Sequence, residues 1–400
     1  MKRFTILLAL AIVGCGGTSS TGGGIGSGIA VIDSDYMSTV LSLANPDDDM
    51  LAKDDCLDSG SVTASLSMAL SGDVVIPTSR QPSGELVLID RTNAALDYLV
   101  PTSCTVARQL SVATGFYSNP HDVLGLSMTK AYVTRYEANA MAGKTDDDGG
   151  NDLLIINPST GAITGRIDLA ASNTMVNGKV VEARPDRLLL ANGSVFVVLG
   201  EASEDYKTLG TGKVAVIDPA SDKVTSTIDL GAVKGCSSLD YDDHSKMLVV
   251  ACGGDYNDPT TQVSTSALVL LDVSGAPKIA KTIAASATGN APMSADALAF
   301  VGDGFVLTAT DGDFSTVNDT VWAVSIASGA ATKVFVADNS YTIGSIVWSA
   351  VKQQAFVTDA SMTKPLIHVI DVSNPAAMKE TASFVANPKS GLPPRQIAWY

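Results

Sequence analysis

The side chains able to do chemistry in this 400-residue chain are mostly carboxylates, 42 Asp and Glu against 26 Lys and Arg, with three His and five Cys. The acids gather in short loops: "KTDDDGGND", "GGDYNDPTT", "DGDFSTVND", and Asp359 in "VTDASM". Clustered carboxylates concentrate cations and steer cationic partners, and Ca²⁺ takes six to eight such oxygen ligands. The best sequence candidates for a Ca²⁺ site are Asp311, Asp313 and Asp319, then Asp146, Asp148 and Asp152. Neither set has the glycine and the twelfth-position Glu of an EF-hand, so a solvated acidic loop competes with each. No GxSxG elbow, HExxH helix, Walker loop or full Rossmann fingerprint occurs. The formal charge of −16 argues against nucleic acid as a partner.

The elements that must position these groups begin after an N-terminal address. Lys2 and Arg3 precede the apolar stretch "FTILLALAIV" and then Gly14-Cys15. A basic start and a short apolar run make a secretory signal, too short for a stable bilayer-spanning helix. Ile12-Val13-Gly14-Cys15 resembles a bacterial lipobox, which implies cleavage after residue 14 and lipid on Cys15. Gly16, with no Asp after the cysteine, points to the outer membrane of a bacterial cell envelope. Residues 15–28 then read as a Gly/Ser-rich tether.

From residue 29 to 400 one pattern recurs: an apolar strand, a turn opened by Asp, Asn or Ser, and a second strand. Its anchors are Asp33, Asp90, Asn157, Asp218, Asp272, Ser325 and Asp371. Short polar side chains interchange at the turn because each can hydrogen-bond its own backbone. Second hairpins such as "HDVLGLSMTKAYVTRY" lie between the anchors, and "PPRQIAWY" at the C-terminus reads as a lone inner strand. With "NPHDVLGLSMTKAYVTRYEAN" and "GKVAVIDPASDKVTSTIDL", the chain resembles the YVTN-type β-propellers. The resemblance implies an all-β, seven-bladed β-propeller of four-stranded antiparallel blades. The C-terminal strand would close the ring beside the N-terminal hairpin, leaving a first blade of three strands or a degenerate fourth.

Through that repeat, Cys236 and Cys252 face each other across an antiparallel pair, which predicts one disulfide. Cys56 and Cys104, placed in consecutive blade-to-blade connections, form the other. His244 falls in a solvated turn and His368 in a strand as a structural histidine. His121, entering an inner strand near the channel mouth, is the one placed to meet a ligand. The acidic loops share one face of such a ring. The chain therefore reads as a lipid-anchored binding scaffold for a protein, peptide or glycan on that face. A lactonase-like hydrolase with a carboxylate-bound metal at the channel mouth is the alternative.

Overall fold

The computed structural model describes residues 28–46 and 50–400. Cys15, the expected signal segment 1–14 and all of the expected tether except residue 28 lie outside the described residues. What is described is all-β and propeller-like. It contains seven four-stranded antiparallel sheets and one three-stranded sheet.

The sheets, I to VII, follow chain order, and in six of them four consecutive main strands run from the inside outward. Sheet IV, for example, is Pro185–Ala191, Ser194–Leu199, Lys213–Asp218 and Lys223–Asp229. Sheet I differs because its inner strand, Pro394–Trp399, is the last of the chain and pairs antiparallel with Ile29–Ser34. Thr39–Asn45 and Met50–Asp58 complete it, so sheet I has four full strands where the sequence pattern predicts three or a degenerate fourth.

Burial explains why the anchors are readable. In Lys213–Asp218, Val214 and Val216 pack toward sheet V while Ala215 and Ile217 pack toward sheet III. A strand covered on both faces reads as a continuous apolar run. Its outer neighbour Lys223–Asp229 is mostly exposed and correspondingly polar. The turn residue acts as expected: Asp218 Oδ1 accepts from the Ala220 N–H (3.0 Å) and Asp371 Oδ1 from the Ser373 N–H (2.9 Å). Five anchors end the third strand of their sheets, but Asp33 and Asp90 end the second strands of sheets I and II. Asp90 keeps the turn chemistry, accepting the Asn93 N–H, whereas buried Asp33 accepts the Ser42 hydroxyl and Ser34 Oγ accepts the Tyr36 N–H in its place.

Both disulfides join the expected partners. Cys236 and Cys252 are directly opposed in sheet V, with Cα atoms 3.8 Å apart. Cys56 and Cys104 are also bonded, with Cα atoms 5.2 Å apart. Their location differs from the expected connections: Cys56 lies within the outermost strand of sheet I, and Cys104 in the turn before Thr105–Ser111 of sheet II.

Candidate functional site

Alternating strand direction sends two kinds of connection to one end of every sheet: the loop between second and third strands, and the link from an outer strand to the next inner strand. A cavity of about 390 Å³ opens at this end, and all seven sheets contribute to its wall. The walls approach closely where side chains are absent. A Cβ on Gly344, for instance, would lie 2.3 Å from the Arg395 carbonyl oxygen.

The cavity wall carries four carboxylates (Asp73, Asp186, Asp296 and Asp311), three guanidinium groups (Arg91, Arg187 and Arg395) and His121. Most are engaged with one another or with carbonyls. Arg91 Nη2 is 2.5 Å from Asp73 Oδ1. Arg187 donates to the carbonyls of Ile76 (3.0 Å) and His121 (3.1 Å), and Arg395 donates to the Ser34 carbonyl (3.1 Å). His121 Nδ1 is 2.9 Å from Asp186 Oδ1. Ser237 Oγ lies 3.0 Å from Asp186 Oδ2 and 3.2 Å from Asp296 Oδ1.

The two carboxylates on Ser237 are pushed apart electrostatically. Burial raises the Asp186 carboxyl, but the His121 charge and hydrogen bond, with Arg187, bring it below the ordinary carboxylate range. Asp296 keeps a solvent-exposed side chain while ringed by protein. Desolvation, then the Asp186 charge, hold its carboxyl above the ordinary value. Asp311 is pushed up to about 8, by burial first and then by Asp319 and Asp296. It is therefore largely protonated at neutral pH and can donate a hydrogen bond.

His121 thus occupies the expected place, though its geometry is not that of a nucleophile relay. Asp186 stands between Ser237 and the imidazole, so the serine proton has no path to a histidine base. The other ring nitrogen, Nε2, is buried with no hydrogen-bond partner, and the ring stacks on Tyr136 with centroids 4.2 Å apart. His368 is structural, 2.7 Å from Glu380 Oε1 and 3.4 Å from Asp359 Oδ2, and His244 lies in an exposed turn.

The acids expected to hold Ca²⁺ do not converge. Asp313 caps its own loop, accepting the N–H groups of Ser315, Thr316 and Val317. Asp319 is buried and accepts four backbone N–H groups, from Gly312, Tyr341, Thr342 and Ile343. Of this set, Asp311 alone faces the cavity. Asp148 accepts from Gly143, Lys144 and Thr145, while Asp152 pairs with Arg135 and Arg166. Asp146 supplies its backbone carbonyl to Arg166. Among the described residues no group of three or more His, Cys, Asp or Glu side chains is arranged to hold a metal ion.

Sequence reasoning did not select the three arginines, Asp73, Asp186, Ser237 or Asp296. A signal was present: "PHDV", "PDRL", "SSLD" and "SADAL" each open an inner strand with short polar residues. It also overlooked the aromatic residues around the mouth. Among the described residues, the exposed Phe, Tyr and Trp are Tyr36, Tyr117, Tyr206, Tyr256, Phe314 and Tyr341. All six lie in connections that emerge at the cavity end. Several are held on one side: Tyr36 by Arg395 (4.8 Å to the ring centroid), Tyr206 by Arg184 (4.5 Å), and Tyr341 by Phe314 (centroids 4.5 Å apart).

No protein-family model and no curated protein sequence matches the chain. Solved structures do. A putative 6-phosphogluconolactonase from Bacteroides uniformis superposes with a TM-score of 0.58 at 11% identity, covering 94% of this chain and 99% of that one. Another from Bacteroides fragilis gives 0.57 at 10% identity, covering 94% and 98%. A streptogramin B lyase gives 0.51 at 12% identity, covering 79% and 84%. At these identities the likeness concerns the fold alone.

Proposed function

We propose that the seven four-stranded sheets are the blades of one propeller, closed by the pairing of Pro394–Trp399 with Ile29–Ser34. The chain acts as a binding protein of the bacterial envelope, held to the outer membrane through lipid on Cys15. It engages its ligand with the loop face around the cavity. One observation carries this reading: the six exposed aromatic rings all lie on that face. Rings with one face packed and the other open are low-entropy contact surfaces.

The test is a probe panel of neutral oligosaccharides, short peptides, lactones and glycosides. It is applied to the wild type, a loop-face variant (Tyr256→Ala with Tyr341→Ala) and an opposite-face variant (His244→Ala with Lys246→Ala). Retention of an unaltered probe, lost only in the loop-face variant, supports the reading. Failure to retain any probe, or equal loss in both variants, contradicts it. For the anchor, wild type in the membrane fraction and Cys15→Ser in the soluble fraction is the expected outcome.

The hydrolase reading has one specific support. Asp186 and Asp296 reach the same hydroxyl, and their environments push their carboxyls in opposite directions, the pattern that separates a base from an acid. Two of the structural neighbours carry a lactonase description. Turnover of a lactone or glycoside that Asp296→Asn abolishes would establish this alternative. The donor set among the described residues gives such a reaction no metal-holding cluster.

A further inference from the structure

Although the chain is strongly acidic and its loops more so, the formal charges of the cavity wall nearly balance. Asp73 faces Arg91 and Asp186 faces His121, while Arg187 and Arg395 are hydrogen-bonded to carbonyl oxygens. Four carboxyl groups and three guanidinium groups line it, and Asp311, the fourth carboxyl, is held largely protonated at neutral pH. The formal charges of the remaining three acids and three arginines then cancel, and His121, paired with Asp186, is the wall's one further basic side chain. Neither a polyanionic nor a polycationic ligand would meet a wall of one sign there.

What the mouth does present is a dense mixture of donors and acceptors beside open aromatic faces. A second hollow of about 270 Å³ adjoins the first, sharing Asp186, Ser237, Asp311 and Tyr341 with it and adding Tyr136 and Tyr256. Tyr36 and Tyr341 line the main cavity itself. Apolar ring faces against which the C–H surface of a sugar can lie, flanked by fixed carboxyl and guanidinium groups that bond hydroxyls, suit a ligand that is neutral, polyhydroxylated and partly flat. The volume falls in the usual range for small-ligand sites.

We infer that the cavity and its tyrosine rim bind a neutral carbohydrate, one end of the glycan entering the cavity while further units lie across Tyr256 and Tyr341. The inference rests on the loop-face reading above and names its ligand class. Its physical basis is the near balance of charge within the wall, which leaves hydrogen-bonding capacity with little net charge, and aromatic surface open on the rim.

The experiment uses the full chain on an array of neutral, sialylated and phosphorylated glycans, with lysine-rich and acidic peptides printed alongside, followed by calorimetric titration of the tightest-binding neutral oligosaccharide. Binding to neutral glycans is expected, with an affinity that changes by less than about twofold between about 50 and about 500 mM salt, because no net charge is neutralised. Tyr256→Ala and Tyr341→Ala should each weaken it by about tenfold while leaving the melting temperature unchanged. Tyr256→Phe should retain most of the affinity, since it keeps the ring. Binding confined to sialylated or phosphorylated glycans, or a neutral-glycan affinity that falls steeply with salt, overturns the inference. Peptide binding without glycan binding, lost in the same tyrosine variants, overturns the carbohydrate assignment and leaves the loop-face reading standing. Absence of binding to every probe overturns both.

Discussion

Ser237 holds Asp186 and Asp296 together: its single hydroxyl lies 3.0 Å from one carboxylate and 3.2 Å from the other, and the three residues belong to three consecutive sheets. One hydroxyl proton can serve only one acceptor at a time. The two acids therefore share it, and the Ser237 hydrogen bond lowers both carboxyls. In Ser237→Ala both carboxyls lose a hydrogen bond that favours their ionised forms, so both should titrate at higher pH than in the wild type. Carbon-13 NMR of the Asp side chains checks this. Stability should change by only about 1 kcal/mol. Unmoved titrations would mean that the hydroxyl does not couple the two acids.

Asp152 shows how a promising acid can be committed elsewhere. Its carboxylate lies 2.6 Å from Arg135 Nη2 and 3.0 Å from Arg166 Nη1, and Arg135 is fully buried. Asp152→Asn leaves the buried guanidinium without a counter-charge, which should cost roughly 3–5 kcal/mol in denaturant unfolding. Calcium or a chelator should leave the wild-type melting temperature where it is. A calcium-dependent rise in melting temperature, abolished by Asp152→Asn, would restore the metal role.

Asp97 supplies a pH signature. It is buried in sheet II with no close hydrogen bond to either carboxylate oxygen, and burial, opposed by the nearby Gln109 side chain and helped by Asp90, pushes its carboxyl up to about 7. The neighbouring Gln109 amide is engaged with Ser67 and Met68. Because the folded-state value lies above the unfolded one, the stability associated with this group is complete below about pH 4. It is lost as pH rises through about 7, by an amount on the order of a few kcal/mol. Asp97→Asn should flatten that decline and raise the melting temperature at pH 8 more than at pH 5. An equal effect at both pH values would show that Asp97 ionises freely in the fold.

The two disulfides should differ in weight. Cys56–Cys104 joins residues 48 apart in sequence and Cys236–Cys252 residues 16 apart. On the chain-entropy account the longer loop is worth about 4 kcal/mol and the shorter about 3 kcal/mol. Paired alanine variants compared in urea should therefore lose more at Cys56 and Cys104. The reverse order would show that packing of the buried Cys236 and Cys252 outweighs loop closure.

Much of this fold is legible because its signals are local. The apolar run and polar turn of "KVAVIDPASD" follow from a strand buried on both faces and from an Asp that caps its own turn. The same local signal misplaced Asp33 and Asp90 by one strand, since a turn does not record which strand of a sheet it ends. The three-stranded sheet falls outside the repeat pattern, although Asn177 and Gly178, both left-handed, mark the hairpin joining Thr174–Val176 to Lys179–Glu182. The site was the least legible part. His121 and Asp186 are 65 residues apart and become neighbours only when sheets III and IV stand side by side. The acid-rich loops drew attention by composition, yet Asp313 and Asp148 are occupied in holding those loops' own backbones.

The account's central claim is that recognition takes place on the face bearing the cavity and the exposed tyrosines. Its most direct test is the affinity of the tightest-binding neutral oligosaccharide for three proteins: the wild type, Tyr256→Ala with Tyr341→Ala, and the opposite-face His244→Ala with Lys246→Ala. The account predicts a loss of about tenfold or more in the tyrosine variant, with the opposite-face variant binding like the wild type. Equal affinity in all three, or a loss confined to the opposite-face variant, would contradict it.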